Sequence, residues 1–341
     1  MVIHYKCPDC GADMRFDSES GKLSCDSCGR KDHVEDFPKE FIFNAFAEGE
    51  AVEYHCKNCG AVILTDQDTT ATTCSFCSAG VVLVDRLSGN MAPAKVIPFT
   101  ISKEKAMKAF KTWCKNGLLT PKGFMTADRV KSITGIYVPF WLYDLNSKGH
   151  VDAICTNVRS YDRGEYNYTE TSYYDVHRSV DLSYVKVPVD ASEKMNDKLM
   201  DKLEPYDYSH LKDFNTPYLA GYIAEKYNYD DKQLFSRVKA RIDQYVESYI
   251  NSTISGYSTT AFKRKQIDTQ QEKAYYTLFP VWMVCYDYNK SEHIFAMNGQ
   301  TGKIVGKPPI SYGKVAAWFA AIASGTFVLL KSAAWIIGGG F

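Results

Sequence analysis

The stretch Ile136-Tyr137-Val138-Pro139-Phe140-Trp141-Leu142-Tyr143-Asp144 decides how the middle of this 341-residue chain is read. Its β-branched and aromatic side chains suit a pleated, buried strand. A second stretch echoes it: Phe279-Pro280-Val281-Trp282-Met283-Val284-Cys285-Tyr286-Asp287-Tyr288. Turn signals follow each. Asn146-Ser147-Lys148-Gly149 precedes Val151–Thr156, and Asn289-Lys290 precedes His293–Met297. Asn298-Gly299-Gln300-Thr301-Gly302-Lys303 then turns into Ile304-Val305. Tyrosine-rich runs at about 165–176 and 180–187 add further strands. Two Pro-x-Trp strand-and-hairpin units around a helical centre predict an internally duplicated antiparallel-sheet domain of the α+β class over residues 94–310.

Working outward, Asp190-Ala191-Ser192-Glu193 reads as a capping box opening a helix with Met195, Leu199 and Leu203 at four-residue spacing. Pro217 starts a second helix through Lys226. A third runs from about Asp230 to Ser252, with Leu234, Val238, Ile242, Tyr245 and Tyr249 along one side. Upstream, residues 94–100 read as a short strand that leads to a helix over about 103–116. Ser102 caps it and Gly117 ends it. Ala106, Ala109, Phe110 and Trp113 share one face; Lys108, Lys111 and Lys115 share the other. That basic face is either solvated or docked on anionic lipid headgroups or acidic protein.

The first 90 residues are dominated by cysteine. Eight of the eleven cysteines form four CxxC pairs: Cys7/Cys10, Cys25/Cys28, Cys56/Cys59 and Cys74/Cys77. Within each half, 14 residues separate the pairs, and the second half repeats the first at an offset of 49. Two residues between thiolates let one tight turn present both sulfurs to a tetrahedral ion, and Gly11 or Gly60 supplies the unusual backbone angles. Four thiolates fill a zinc coordination sphere, so each site is structural and closed to substrate. The pattern predicts two zinc ribbons, at 1–40 and 50–90, with one zinc ion each. His4, His33 and His55 flank them; since each site already has four sulfurs they read as exposed neighbours, with substitution as ligands the alternative. Met1-Val2-Ile3-His4-Tyr5-Lys6 runs into Cys7 without a charged-then-apolar leader, so a reducing compartment is expected and disulfides are not.

A net charge of zero hides an asymmetry. Residues 1–90 hold 8 Lys+Arg against 15 Asp+Glu, a net of −7 that two Zn(Cys)4 centres lower to about −11. Residues 94–131 hold nine basic residues against two acidic ones. An acidic ribbon surface repels phosphate, which argues against nucleic acid there and for protein contact. The basic 94–131 segment keeps nucleic-acid binding open as the alternative function. No catalytic constellation emerges. Residues 299–307 only superficially resemble a phosphate loop, and the Glu204 and Asp207 carboxylates, just after a helix, suit backbone amides or a partner.

The tail is apolar. Val315–Leu330 carries no charge, Lys331 interrupts, and apolar residues continue to Phe341. A helix over 315–338 is long enough to cross a bilayer core of about 30 Å. Trp318 and Trp335 then lie near the two interfaces, and Lys331 snorkels outward. Lys303, Lys307 and Lys314 place the upstream bulk in the cytoplasm. Ala317, Ala321 and Gly325 form a small-residue stripe suited to another membrane helix, hence to a homo- or hetero-oligomer. The alternative is a buried core helix.

The paired ribbons, Tyr137–Tyr143, Val187-Pro188-Val189-Asp190-Ala191-Ser192, Glu204-Pro205-Tyr206-Asp207, Tyr218-Leu219-Ala220-Gly221-Tyr222 and Met297–Lys303 together resemble the YdjG-type zinc-ribbon membrane proteins of Gram-positive bacteria. The resemblance spans nearly the whole chain. It implies a membrane-associated partner of phage-shock-type and flotillin-like proteins in envelope stress, with no catalytic residues to carry over. Such proteins are sometimes labelled replication-restart helicases, yet no helicase phosphate loop occurs in this sequence. The expectation is a non-enzymatic, membrane-anchored adaptor.

Overall fold

A computed structural model of the chain describes residues 2–3, 5–37, 52–55, 62–65, 69–73, 80–83, 93–115, 117, 119–121, 124, 133–288 and 291–337. The N-terminal part holds β1 (Val2–Ile3), β2 (Met14–Asp17), β3 (Lys22–Cys25), β4 (Lys31–Asp32), β5 (Val52–His55), β6 (Val62–Thr65), β7 (Thr69–Thr73) and β8 (Gly80–Leu83). Next come β9 (Lys95–Val96), α1 (Lys103–Lys115), β10 (Thr134–Arg163), β11 (Tyr166–Asp190) and α2 (Asp197–Leu203). Then follow β12 (Lys212–Asp213), β13 (Ile223–Glu225), α3 (Asp231–Thr253), β14 (Thr259–Tyr288), β15 (Ser291–Asn298), β16 (Ile304–Gly306) and α4 (Tyr312–Ile337). The class is mixed α and β.

One sheet runs in the order β1-β8-β7-β13-β10-β14-β15-β16, with β11 on the other stretch of β10. Most pairings are antiparallel, but β13 joins β10 and β9 joins β14 in parallel. The sheet is therefore mixed, not purely antiparallel as the hairpin reading implied. The two Pro-x-Trp segments are direct neighbours: Tyr137 pairs with Pro280, and Pro139 with Leu278. Their near-continuous apolar runs reflect burial on both faces. Val138, Phe140, Phe279 and Val281 pack with Met200 and Leu203 of α2 on one side. Tyr137, Leu278 and Trp282 face the other, with Phe110 of α1 and Phe16 of the cysteine-rich segment.

Beyond a bulge between Tyr143 and Leu145, burial becomes strictly alternating, with Leu145, Ser147, Gly149, Val151, Ala153 and Cys155 inward. Helix α3 covers most of this stretch, and both lengths come to about 35 Å. The expected turn at Asn146–Gly149 does not exist; β10 runs straight through it, paired on both sides. Gly149 is there for close approach, since a Cβ would stand 2.7 Å from Ile250 Cδ1 and 3.0 Å from Val180 Cγ2. Likewise the two tyrosine-rich runs are one strand, β11. The polar first half of β14, Thr259–Ala274, becomes strand because β10 supplies its ladder partners, with only one face covered.

The helical centre also differs in part. Asp190 is the last residue of β11, and Ala191 N–H still bonds Pro139 O, so the capping box at Asp190–Glu193 does not form. Helix α2 begins later, with Asn196 accepting from Leu199 N–H. Pro217 opens only a short 3-10 turn, Thr216–Leu219. Gly221 (φ +92°) then redirects the chain into β13, whose amides are claimed by β10 and β7. Helix α3 matches its expected bounds and carries a full capping box between Asp230 and Gln233. Its buried row is Leu234, Val238, Ile242, Val246 and Ile250, while Tyr245 and Tyr249 are 56% and 50% exposed. Helix α1 is as expected, with Ala106, Phe110 and Cys114 buried.

Helix α4 leaves the body of the protein. Its stretch Tyr312–Ala333 is 22 residues, long and apolar enough to cross a membrane, and none of its most apolar window is buried. It is not a core helix of this chain. Ser311 N–H donates to Leu119 O (2.8 Å) and Lys314 Nζ to Thr120 O (2.7 Å), fastening its start.

Candidate metal centre

Cys7 and Cys10 flank one turn and Cys25 and Cys28 another. The Lys6–Asp13 bridge closes the first turn and the Ser24–Lys31 pairing closes the second. Gly11 (φ +73°) and Gly29 (φ +79°) take the left-handed conformation these turns require. Gly11 N–H bonds Cys7 O and Gly29 N–H bonds Cys25 O, at 2.8 and 2.9 Å. Strands β2 and β3 form the arm that brings the turns face to face.

The four sulfurs converge. Cys7 Sγ lies 3.4 Å from Cys28 Sγ, Cys10 Sγ lies 3.5 Å from Cys25 Sγ, and all four are within 4.8 Å of one another. A tetrahedral zinc with Zn–S of about 2.3 Å needs sulfurs about 3.8 Å apart, so the cluster fits that ion. Backbone N–H groups of Cys28 and Ser27 point at the Cys25 sulfur and bring its pKa down to about 7. Arg30 N–H does the same for Cys28, but the crowd of sulfurs around it wins and pushes its thiol up to about 12. Four thiols at this distance favour a shared cation. A bound zinc would take all four as thiolates, leaving no open position.

Two features escape a cysteine count. Arg30 reaches Asp9 Oδ1 (2.5 Å) and Asp32 (2.9 Å), clamping the first turn to β4. The centre is also not freestanding: Cys7, Met14, Phe16, Leu23, Cys25 and Val34 share one hydrophobic cluster with Tyr137, Tyr218 and Trp282. Phe16 N–H bonds Ala220 O (3.0 Å), and Asn215 Nδ2 bonds Val34 O (3.0 Å). Exposed His33 is not part of the sulfur cluster; His4 lies outside the described residues.

Cys56, Cys59, Cys74 and Cys77 lie outside the described residues, so one four-cysteine cluster is seen. The strands around them are informative. His55 pairs with Val62 and Thr73 with Gly80. These are the Lys6–Asp13 and Ser24–Lys31 pairings displaced by the same 49 positions as the cysteines.

The remaining motif residues bracket the fold. Asp207 accepts from Ser209 N–H (2.9 Å), as its position after a helix suggested. Asn298 donates to Leu203 O and Pro205 O and accepts from Gln300 and Thr301 N–H. Gln300 exchanges two hydrogen bonds with the Asp207 backbone. The Glu204–Asp207 and Met297–Lys303 segments thus hold each other.

No family model matches the chain, and no solved structure matches it. It is 63% identical, over the full length of both chains, to the uncharacterized protein YdjG of Bacillus subtilis (strain 168). At that identity and coverage, with the four-cysteine cluster in place, the chain belongs to the YdjG family.

Proposed function

We propose that this protein is a non-enzymatic adaptor, anchored in the cell membrane by α4, with its bulk in the cytoplasm and two zinc ribbons presented for protein docking. The observation that carries the reading is α4: an apolar helix with none of its most apolar window buried, tied to the folded body at its start among the described residues. Lys303, Lys307 and Lys314 on the upstream side favour the cytoplasm for the body. Closed four-sulfur coordination suits a rigid structural module. The 49-residue repeat in backbone pairing supports a second zinc at Cys56, Cys59, Cys74 and Cys77. The side-by-side Pro-x-Trp strands, each continuing into a hairpin, support an internal duplication. By resemblance, the partners are phage-shock-type and flotillin-like proteins in envelope stress. Ala317, Ala321 and Gly325 offer a contact stripe for another membrane helix.

Fractionation with and without residues 312–341 tests the anchor. Full-length chain is expected in carbonate-resistant membranes and the truncated chain in the soluble fraction. A full-length chain that is soluble without detergent overturns the reading. Crosslinking from membranes, followed by identification of captured chains, tests the adaptor role, and metal analysis is expected to return about two zincs per chain.

A further inference from the structure

The outward face of α1 has features its packing does not use. Lys103, Lys105, Lys108 and Lys115 are exposed, Lys111 is half-buried, and Glu104 is the one acid in the helix. Beneath it, Phe110 and Trp113 pack on the Phe295 ring at 5.2 and 5.4 Å. At the N-terminal end a lysine already has its anion: Lys105 Nζ meets Glu19 Oε1 of the β2–β3 turn at 3.0 Å. Among the described residues, Lys108, Lys111 and Lys115 have no acidic partner. A shallow groove of about 510 Å³ lies there, lined by Lys105, Lys108, Ala109, Thr112 and Trp113.

Position gives this face its meaning. Ser311, immediately before α4, is bonded to Leu119, and Lys115 precedes Leu119 by four residues, at most about 14 Å of extended chain. Phe295, on which α1 packs, pairs with Gly306, and six residues further on α4 begins. The C-terminal end of α1 is therefore held at the foot of the apolar helix.

We propose that this face, through Lys108, Lys111 and Lys115, with the half-buried Trp113 at the rim of the groove beside Lys108, binds the phosphate headgroups of anionic lipids in the leaflet that α4 enters. The inference rests on α4 being a membrane span. If it is, the headgroup phosphates lie near the foot of α4 at high local concentration. Each lysine near such a surface changes partition roughly fivefold, and tryptophan prefers this depth. A polynucleotide carries the same phosphate, but the fastening of α1 to the start of α4 brings this face to lipid if α4 spans a membrane, and brings it to no nucleic acid.

The test uses full-length chain in phosphatidylcholine vesicles containing phosphatidylglycerol, with either lipid brominated in turn to quench tryptophan. The Trp113 signal is the difference between the chain and its Trp113→Phe variant. Trp113 is expected to be quenched several-fold more by brominated phosphatidylglycerol. The Lys108→Glu/Lys111→Glu variant is expected to lose that preference, and Lys108→Arg/Lys111→Arg to keep it. Equal or absent quenching of Trp113, with Trp318 and Trp335 still quenched by both lipids, overturns the inference and spares the anchor. Loss of quenching at Trp318 and Trp335 as well overturns both. Abolition of the lipid preference by a short oligonucleotide at physiological salt assigns the face to nucleic acid and overturns the inference.

Discussion

The Phe16 ring meets the Tyr218 ring edge-on, with centroids 5.3 Å apart. One belongs to the arm between the two cysteine turns, the other to the 3-10 turn that leads into β13, so the four-cysteine cluster and the sheet share a core. Removing the metal is therefore expected to lower the melting temperature of the whole chain, not of a detached finger. Cys25→Ser or a zinc chelator should do this, and Phe16→Ala should cost about 3–5 kcal/mol. Differential scanning calorimetry alongside metal analysis checks it. A chelated chain that melts as before would mean the cluster contributes nothing to the shared core.

The row Leu234, Val238, Ile242, Val246, Ile250 keeps four-residue spacing throughout. A row of that kind is inclined to the helix axis by about 26°, so the covered stripe of α3 winds across the helix surface instead of running parallel to the axis. Val246→Ala is expected to destabilise by about 1–3 kcal/mol and Ile250→Ala by about 2–5. Tyr245→Ala and Tyr249→Ala should stay within about 0.5 kcal/mol. Urea midpoints measure all four.

That row shows what the sequence made legible. Leu234, Val238 and Ile242 are legible from spacing, but the step to Tyr245 and Tyr249 follows a stripe parallel to the axis; which row the sheet covers is a tertiary fact. The Asp230 cap was readable because it is local, whereas Asp190 resembles a cap and is instead held in the sheet by β10. Asn146–Gly149 has turn composition and strand structure, because α3 presses on Gly149 from residues a hundred positions away. Thr259–Ala274 lacks an apolar pattern and takes its conformation from its neighbour. The cysteine centre was legible because four ligands to one ion constrain spacing directly. Its docking through Phe16 and Asn215 was not, since those contacts join segments some 200 residues apart.

Asp190 predicts a pH dependence. It is 1% exposed; one carboxylate oxygen accepts Ser192 N–H, and the other has no partner among the described residues. Burial raises its pKa to about 7, helped by Asp197 and Asp201 and opposed by the Ser192 bond and Arg237. The folded carboxyl thus keeps its proton up to about pH 7, whereas the unfolded one releases it near 4. Folding takes up a proton in that window, so stability falls as pH rises from about 4 to 7. Glu204, also raised to about 7 by burial, adds to the fall. Asp190→Asn is expected to reduce the slope and to raise stability at pH 8 by on the order of 2 kcal/mol. Denaturant titrations at pH 5 and pH 8 decide it; an unchanged slope refutes the assignment.

Ser147 and Thr269 face each other across β10 and β14, with hydroxyls 2.7 Å apart and both buried. Thr269 Oγ1 donates to Asp243 Oδ1 of α3 (2.6 Å), and Lys239 Nζ holds the other carboxylate oxygen at 3.0 Å. If residues 146–149 formed a surface turn, Ser147 would be solvated and Thr269→Val would be nearly silent. In this fold, Thr269→Val strands the Ser147 hydroxyl and removes a donor from Asp243, which should cost about 1–3 kcal/mol. Adding Ser147→Ala removes the stranded partner and is expected to recover part of that loss, giving a coupling energy of at least about 0.5 kcal/mol. Ser147→Ala alone should cost less than Thr269→Val, because Thr269 keeps Asp243 as its acceptor. Strict additivity of the two substitutions would show that the pair does not share a buried site, and would return residues 146–149 to the turn their composition suggests.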